Sequence, residues 1–176
     1  MKNLTLVFVL LFVSLQSNSA IQQDTLLLQQ NPPTDERIES LNAYWAALAK
    51  TAAAGDFEGM KSLYHADAVL VKPDTTIAIS DAFQFRWKKE IMEVKNGIRK
   101  NALEFRFSKR IGNDVTAFEK GIYYYTSMET ATGKMLGDSY VHFETLLVKE
   151  NGQWVALMEH QKMEATEEEW KLLREL

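Results

Sequence analysis

His142 and Glu144 stand two residues apart in SYVHFETLLVKENGQWVALMEHQKM, the stretch from Ser139 to Met163. On a strand this spacing puts both side chains on one face. A carboxylate placed there can orient or charge an imidazole for proton transfer. His160 lies on the second arm of the same stretch. With Glu150-Asn151-Gly152-Gln153 as a tight turn, position 142 falls opposite a residue near 161, which allows His142 and His160 to be close in space, on the same side of the sheet or on opposite sides. Strict alternation gives the second arm one side made of Trp154, Ala156, Met158 and His160. Either these faces enclose a pocket, or the pair is a solvated surface feature. Neighbours do not decide, since Leu146 continues the face of His142 and Glu144 while Phe143 and Leu147 take the other.

Other chemistries find less support. The histidines show no metal-ligand spacing on one element, so no metal is expected. His65 falls in a turn beside Tyr64 and Asp67, where a surface role is expected. Tyr123, Tyr124 and Tyr125 supply phenols, and Asp67, Glu104 or Glu144 a carboxylate, but no matched acid–tyrosine pair stands out. There is no nucleophile elbow and no Gly-rich phosphate loop, so no cofactor is expected. The chain has no cysteine, which removes disulfides, thiolate metal sites and a thiol nucleophile together.

The elements that must hold these residues follow from patterning. Residues 1–20 have a basic Lys2, an apolar run Leu4–Leu15 and a small-residue end at Ser17–Ala20, the pattern of a cleaved secretory signal. A secreted or periplasmic location is therefore expected. The run is too short to span a membrane. Residues 21–33 read as a Gln-rich linker ended by Pro32-Pro33, and 34–176 as one domain. Ile38, Leu41, Trp45, Leu48 and Ala52 form a helical stripe, Gly55 ends it, and Asp56 caps a second short helix. A strand Ala68–Lys72 precedes a third helix with Phe83, Trp87, Ile91 and Val94 inward. The period then changes to two, giving four strands joined by short turns, with a bulge or bend at Gly121. Thr166 and Glu169 form a capping box for a short final helix. Helices early and strands late make the class α+β. Hydrophobic content of 46% and a net charge of −4 suit a globular core and give no footprint for nucleic acid.

The order of these pieces resembles the nuclear transport factor 2-like superfamily, in particular its SnoaL-like and ketosteroid-isomerase-like members. The matching stretches are the Trp45 helix followed by Ala54-Gly55-Asp56-Phe57, then Leu63-Tyr64-His65-Ala66-Asp67-Ala68-Val69. Ala117–Gly121 and Lys149–Trp154 follow, with His160 downstream. The resemblance implies a cone-shaped, strongly bent antiparallel sheet wrapped around N-terminal helices, often dimeric, with a cavity at the wide end. It does not imply one reaction, because one fold hosts many functions. The expectation drawn from it is an apolar cavity with convergent polar groups at Trp45, Tyr64, Tyr125, His142, Glu144 and His160. A small apolar molecule with polar groups would bind there without turnover. The alternative is a cofactor-independent isomerase, dehydratase or cyclase. A homodimer is expected as well, because apolar residues such as Phe118, Ile122, Phe143 and Leu147 occupy both faces of the long strands.

Overall fold

Leu41, Trp45, Leu48 and Ala52 recur at the spacing of one helix face. In the computed structural model of the protein, which describes residues 35–173, they form the buried stripe of α1 (Asp35–Ala54). The leader and linker expected over 1–33 lie outside the described residues. Asp56 accepts a hydrogen bond from the Gly59 backbone N–H and caps α2 (Phe57–Lys61). Then come β1 (Tyr64–Lys72) and β2 (Thr75–Ala78), followed by α3 (Ile79–Asp81), a π-helical segment (Ala82–Trp87) and α4 (Lys88–Lys95). Four long strands complete the sheet: β3 (Arg99–Gly112), β4 (Thr116–Glu129), β5 (Met135–Glu150) and β6 (Gln153–Ala165).

The sheet is six-stranded, curled and unclosed, in the order β2-β1-β6-β5-β4-β3. The four long strands form the expected antiparallel meander. Only the pairing of β1 with β6 is parallel among the pairings of the described strands, as a long crossover allows; here the chain between them includes α3, the π-helical segment, α4 and four strands. The β5–β6 turn consists of Asn151 and Gly152, with φ of 50° and 81°. Both are left-handed, which is the turn that matches strand twist and favours Asn-Gly. At Gly121 the β3–β4 register shifts between Phe107 and Lys109, and a Cβ there would stand 1.9 Å from the Arg106 carbonyl oxygen. No side chain fits at that approach.

The concave face packs against α1. The Trp45 ring lies 4.7 Å from that of Phe105 and 5.2 Å from that of Phe143, centroid to centroid. On the opposite face α5 (Glu167–Lys171) is started by the capping box of Thr166 and Glu169. It lays the buried Trp170 beside Tyr124 and Tyr140, with the Arg106 guanidinium 4.6 Å from the Trp170 ring.

Candidate active site

Which residues enter the concave face is decided by one extra residue. Leu146 pairs with Met158 and Leu147 with Ala156, so Leu157 is left over as a β-bulge. Before the bulge, Trp154 and Ala156 point inward, as alternation predicts; after it the parity is reversed. Glu159 and Gln161 therefore face the interior, opposite Thr145 and Phe143 of β5. Met158 and His160 turn to the outer face, against the single side expected for Trp154 through His160.

His142 and Glu144 are also on the outer face, since Phe143 and Thr145 take the inner one. Glu144 is the centre of a surface ion cluster: Lys162 Nζ at 2.9 Å, Lys120 Nζ at 3.5 Å and His160 Nδ1 at 3.6 Å. The Lys162 hydrogen bond leads in holding its carboxyl below the usual range. His142 Nε2 lies 3.3 Å from Glu169 of α5. The structure thus joins His160 to Glu144 outside the cavity, while Trp45, Tyr64 and Tyr125 line the cavity itself. His65 lies within β1 and not in the expected turn, and its Nδ1 accepts from the Asp67 backbone N–H at 3.0 Å.

The cavity occupies about 250 Å³ between α1, α2, α4 and the concave sheet. Its walls are largely aromatic: Trp45, Tyr64, Trp87, Phe105, Tyr123 and Phe143. The π-helical segment carries Trp87 at its end, and α4 adds Glu90 and Ile91 on the same side. Such insertions in helices recur at functional sites because they re-aim side chains.

Glu159 is the chemical centre. Burial raises its carboxyl pKa above the ordinary value, outweighing the opposing hydrogen bonds from Tyr64 and Gln161. Tyr64 Oη donates to Glu159 Oε2 at 2.5 Å and Gln161 Nε2 donates to Oε1 at 2.6 Å. The Tyr64 phenol is itself pushed well up, by burial first and then by the charge of Glu159, so it remains a donor. The result is an oriented carboxyl group with a shifted pKa in an apolar chamber, which is what general acid–base chemistry requires. Sequence reasoning missed Glu159 and Gln161 because it carried alternation through Leu157. A carboxylate following the apolar run Trp154–Met158 was the available signal.

Two further polar groups frame the chamber. Glu119 is fully buried, and Arg110 donates to it from Nε at 2.7 Å and from Nη2 at 3.0 Å. Trp45 Nε1 donates to the same carboxylate at 2.6 Å. The indole N–H is thus committed to a structural latch. The second group includes Tyr125, which hydrogen-bonds Glu90; burial, then this bond, pushes its phenol up to about 12. Asn101 Nδ2 also donates to Glu90, at 2.7 Å, and Arg99 lies 3.4 Å from that carboxylate. Among the described residues no cluster of His, Asp and Glu has the geometry to hold a metal ion.

Comparison with known proteins agrees with this architecture. A family model described as a SnoaL-like domain matches residues 38–163. No curated protein matches the sequence. Aln2 from a Streptomyces species is a similar solved structure, at 15% identity over 73% of this chain and 91% of that one, with a TM-score of 0.59. A nuclear transport factor 2-like superfamily protein from Salmonella enterica serovar Typhimurium shares 11% identity over 73% and 92%, with a TM-score of 0.57. A ketosteroid isomerase-like protein from Erwinia carotovora atroseptica shares 16% over 76% and 99%, with a TM-score of 0.55. At these identities the likeness is one of fold. With most of its length matched by the family model, the chain belongs to the SnoaL-like domain family, and its sheet and helices have the fold of nuclear transport factor 2-like proteins.

Proposed function

We propose that the domain binds a small, mainly apolar carbonyl compound in the cavity and moves a proton on it without a cofactor, as an isomerase, dehydratase or cyclase would. The observation that supports this is Glu159, half-buried, raised in pKa and held by Tyr64 and Gln161 in an aromatic chamber. Ionised, its carboxylate takes a proton from the carbon beside the carbonyl. The C–H bond breaks, its electron pair forms the C=C bond of the enolate, and the carbonyl oxygen receives the charge. The protonated carboxyl then returns the proton to the same or a neighbouring position. Cavities of about 150 Å³ hold a single benzene ring, so about 250 Å³ suits one or two fused rings.

The test is exchange of the α-hydrogens of 2-tetralone in D2O, followed by NMR with wild type and Glu159→Gln. Wild type should accelerate exchange above buffer and the variant should lose about 100-fold or more. Equal rates in the two proteins would sink the assignment, and binding without exchange in either would return the domain to a carrier or sensor.

Export and self-association are proposed beside this reading. Export rests on the leader-like residues 1–20, and intact mass of protein from the native envelope or medium decides it. Self-association rests on the outer sheet face, where Ile111, Phe118, Leu146, Met158 and Val69 stand in register across five strands, each half-buried. Light scattering at micromolar concentration should give twice the monomer mass.

A further inference from the structure

Thr145 sits on β5 between two acidic neighbours, in register with Glu119 of β4 on one side and Glu159 of β6 on the other. It lines the cavity and is 2% exposed, yet its Oγ1 has no hydrogen-bond partner among the described residues. Both flanking carboxylates are taken by other donors, Glu119 by Arg110 and Trp45, Glu159 by Tyr64 and Gln161. Buried hydroxyls are almost always hydrogen-bonded, and one left without a partner in a strand is costly. Other buried polar atoms in this position do not serve the same place: the Tyr44 hydroxyl is not among the cavity-lining groups, and Asn101 Oδ1 is an acceptor in the Glu90 cluster. Facing residues on adjacent strands have their Cβ atoms about 5 Å apart. A donor at Thr145 is therefore within one small functional group of Glu159.

We propose that Thr145 is the hydrogen-bond donor to the ligand's oxygen, so that the site selects a carbonyl whose α-carbon lies against Glu159. This rests on the acid–base reading of Glu159 and names the group that would receive the charge formed in it. The hydroxyl does not transfer its proton; it holds the oxygen while negative charge grows there, an interaction stronger in a dry chamber than in water. Tyr64 is not available for this task because it is committed to Glu159.

The test compares 2-tetralone with tetralin, the same bicycle lacking the carbonyl, by titration calorimetry. Wild type should bind the ketone about tenfold more tightly than the hydrocarbon. Thr145→Val should abolish that preference while leaving tetralin affinity unchanged, and Thr145→Ser should keep it. Thr145→Val should also raise the Tm of the ligand-free protein by about 2–4 °C, since it deletes a hydroxyl that has no partner. A purely structural threonine would give a fall instead. Retention of the ketone preference in Thr145→Val, absence of any preference in wild type, or a fall in Tm with the preference intact would each overturn the proposal. If Thr145→Val does not fold, Thr145→Ala is held to the same preference criterion. Glu159→Gln separates the two ideas. Exchange unaffected by Glu159→Gln, with the ketone preference lost in Thr145→Val, would remove the acid–base reading and leave the donor in place.

Discussion

Replacing Arg110 by Met should destabilise the domain by about 3–5 kcal/mol, the usual effect of removing one member of a buried ion pair. The magnitude follows from what is left behind. Arg110 makes two hydrogen bonds to Glu119, at 2.7 and 3.0 Å, and a third to Asn42 Oδ1 at 2.6 Å. Its guanidinium also covers the Phe107 ring at 4.2 Å. Met keeps much of the aliphatic packing but leaves the Glu119 carboxylate, which has no exposed surface, with only the Trp45 N–H as a donor. Adding Glu119→Gln removes the stranded charge, so the double variant should recover about 2 kcal/mol of the loss. Urea unfolding of wild type, both single variants and the double variant supplies the cycle. A single-variant loss below about 1 kcal/mol, or a double variant less stable than Arg110→Met, would refute the reasoning.

Other predictions concern separate parts of the fold. Burial raises the Glu159 pKa in the folded state. Its contribution is therefore fully present below the unfolded value, about 4.3, and lost as pH rises through the folded one; urea midpoints should move in favour of Glu159→Gln between about pH 4 and pH 7.5. A pH-independent gap would count against a raised carboxyl. Trp170→Ala should cost about 3 kcal/mol and make the chain after Ala165 sensitive to limited proteolysis, because that ring docks α5 on Tyr124 and Tyr140. Gly121→Ala should cost about 3 kcal/mol in thermal unfolding, as the atom its methyl would meet is backbone and cannot swing aside.

The fold was legible because its signals are local. Trp45 with Leu41 and Leu48 declared a helix face, Asp56 a cap, Asn151-Gly152 a turn with two left-handed residues, and Thr166 with Glu169 a capping box. Each is a matter of neighbours within four positions, and together they specify the α+β class and the family. The parallel β1–β6 pairing is set by a crossover of many residues, and nothing in the local pattern of Ala68–Lys72 announces it. The candidate site was harder for a different reason. Trp45, Tyr64 and Tyr125 line the cavity, whereas His142, Glu144 and His160 lie behind the sheet. Alternation assigns relative faces along a strand but not which face is inside, and here Phe143 and Thr145, not His142 and Glu144, point toward Trp45 and Glu159. On β6 even the relative assignment failed beyond Leu157. A histidine is the conspicuous residue in Glu159-His160-Gln161, yet its two neighbours reach the chamber.

Leu157 works as a unit of slack, a place where the strand is one residue longer than its partner requires. Deleting it would join Ala156 to Met158 in an unbroken ladder, with Glu159 and Gln161 still inside. Smoothing the bulge while keeping every residue has the opposite effect, because the segment beyond it must then slide by one position. Met158 and His160 would turn inward, and Glu159 and Gln161 would turn out, without any change of amino acid. An imidazole and a thioether would replace the carboxyl and the amide in the chamber. A carboxyl and an imidazole thus stand a single register step apart on one strand, and the extra residue at Leu157 sets the carboxyl on the inner face.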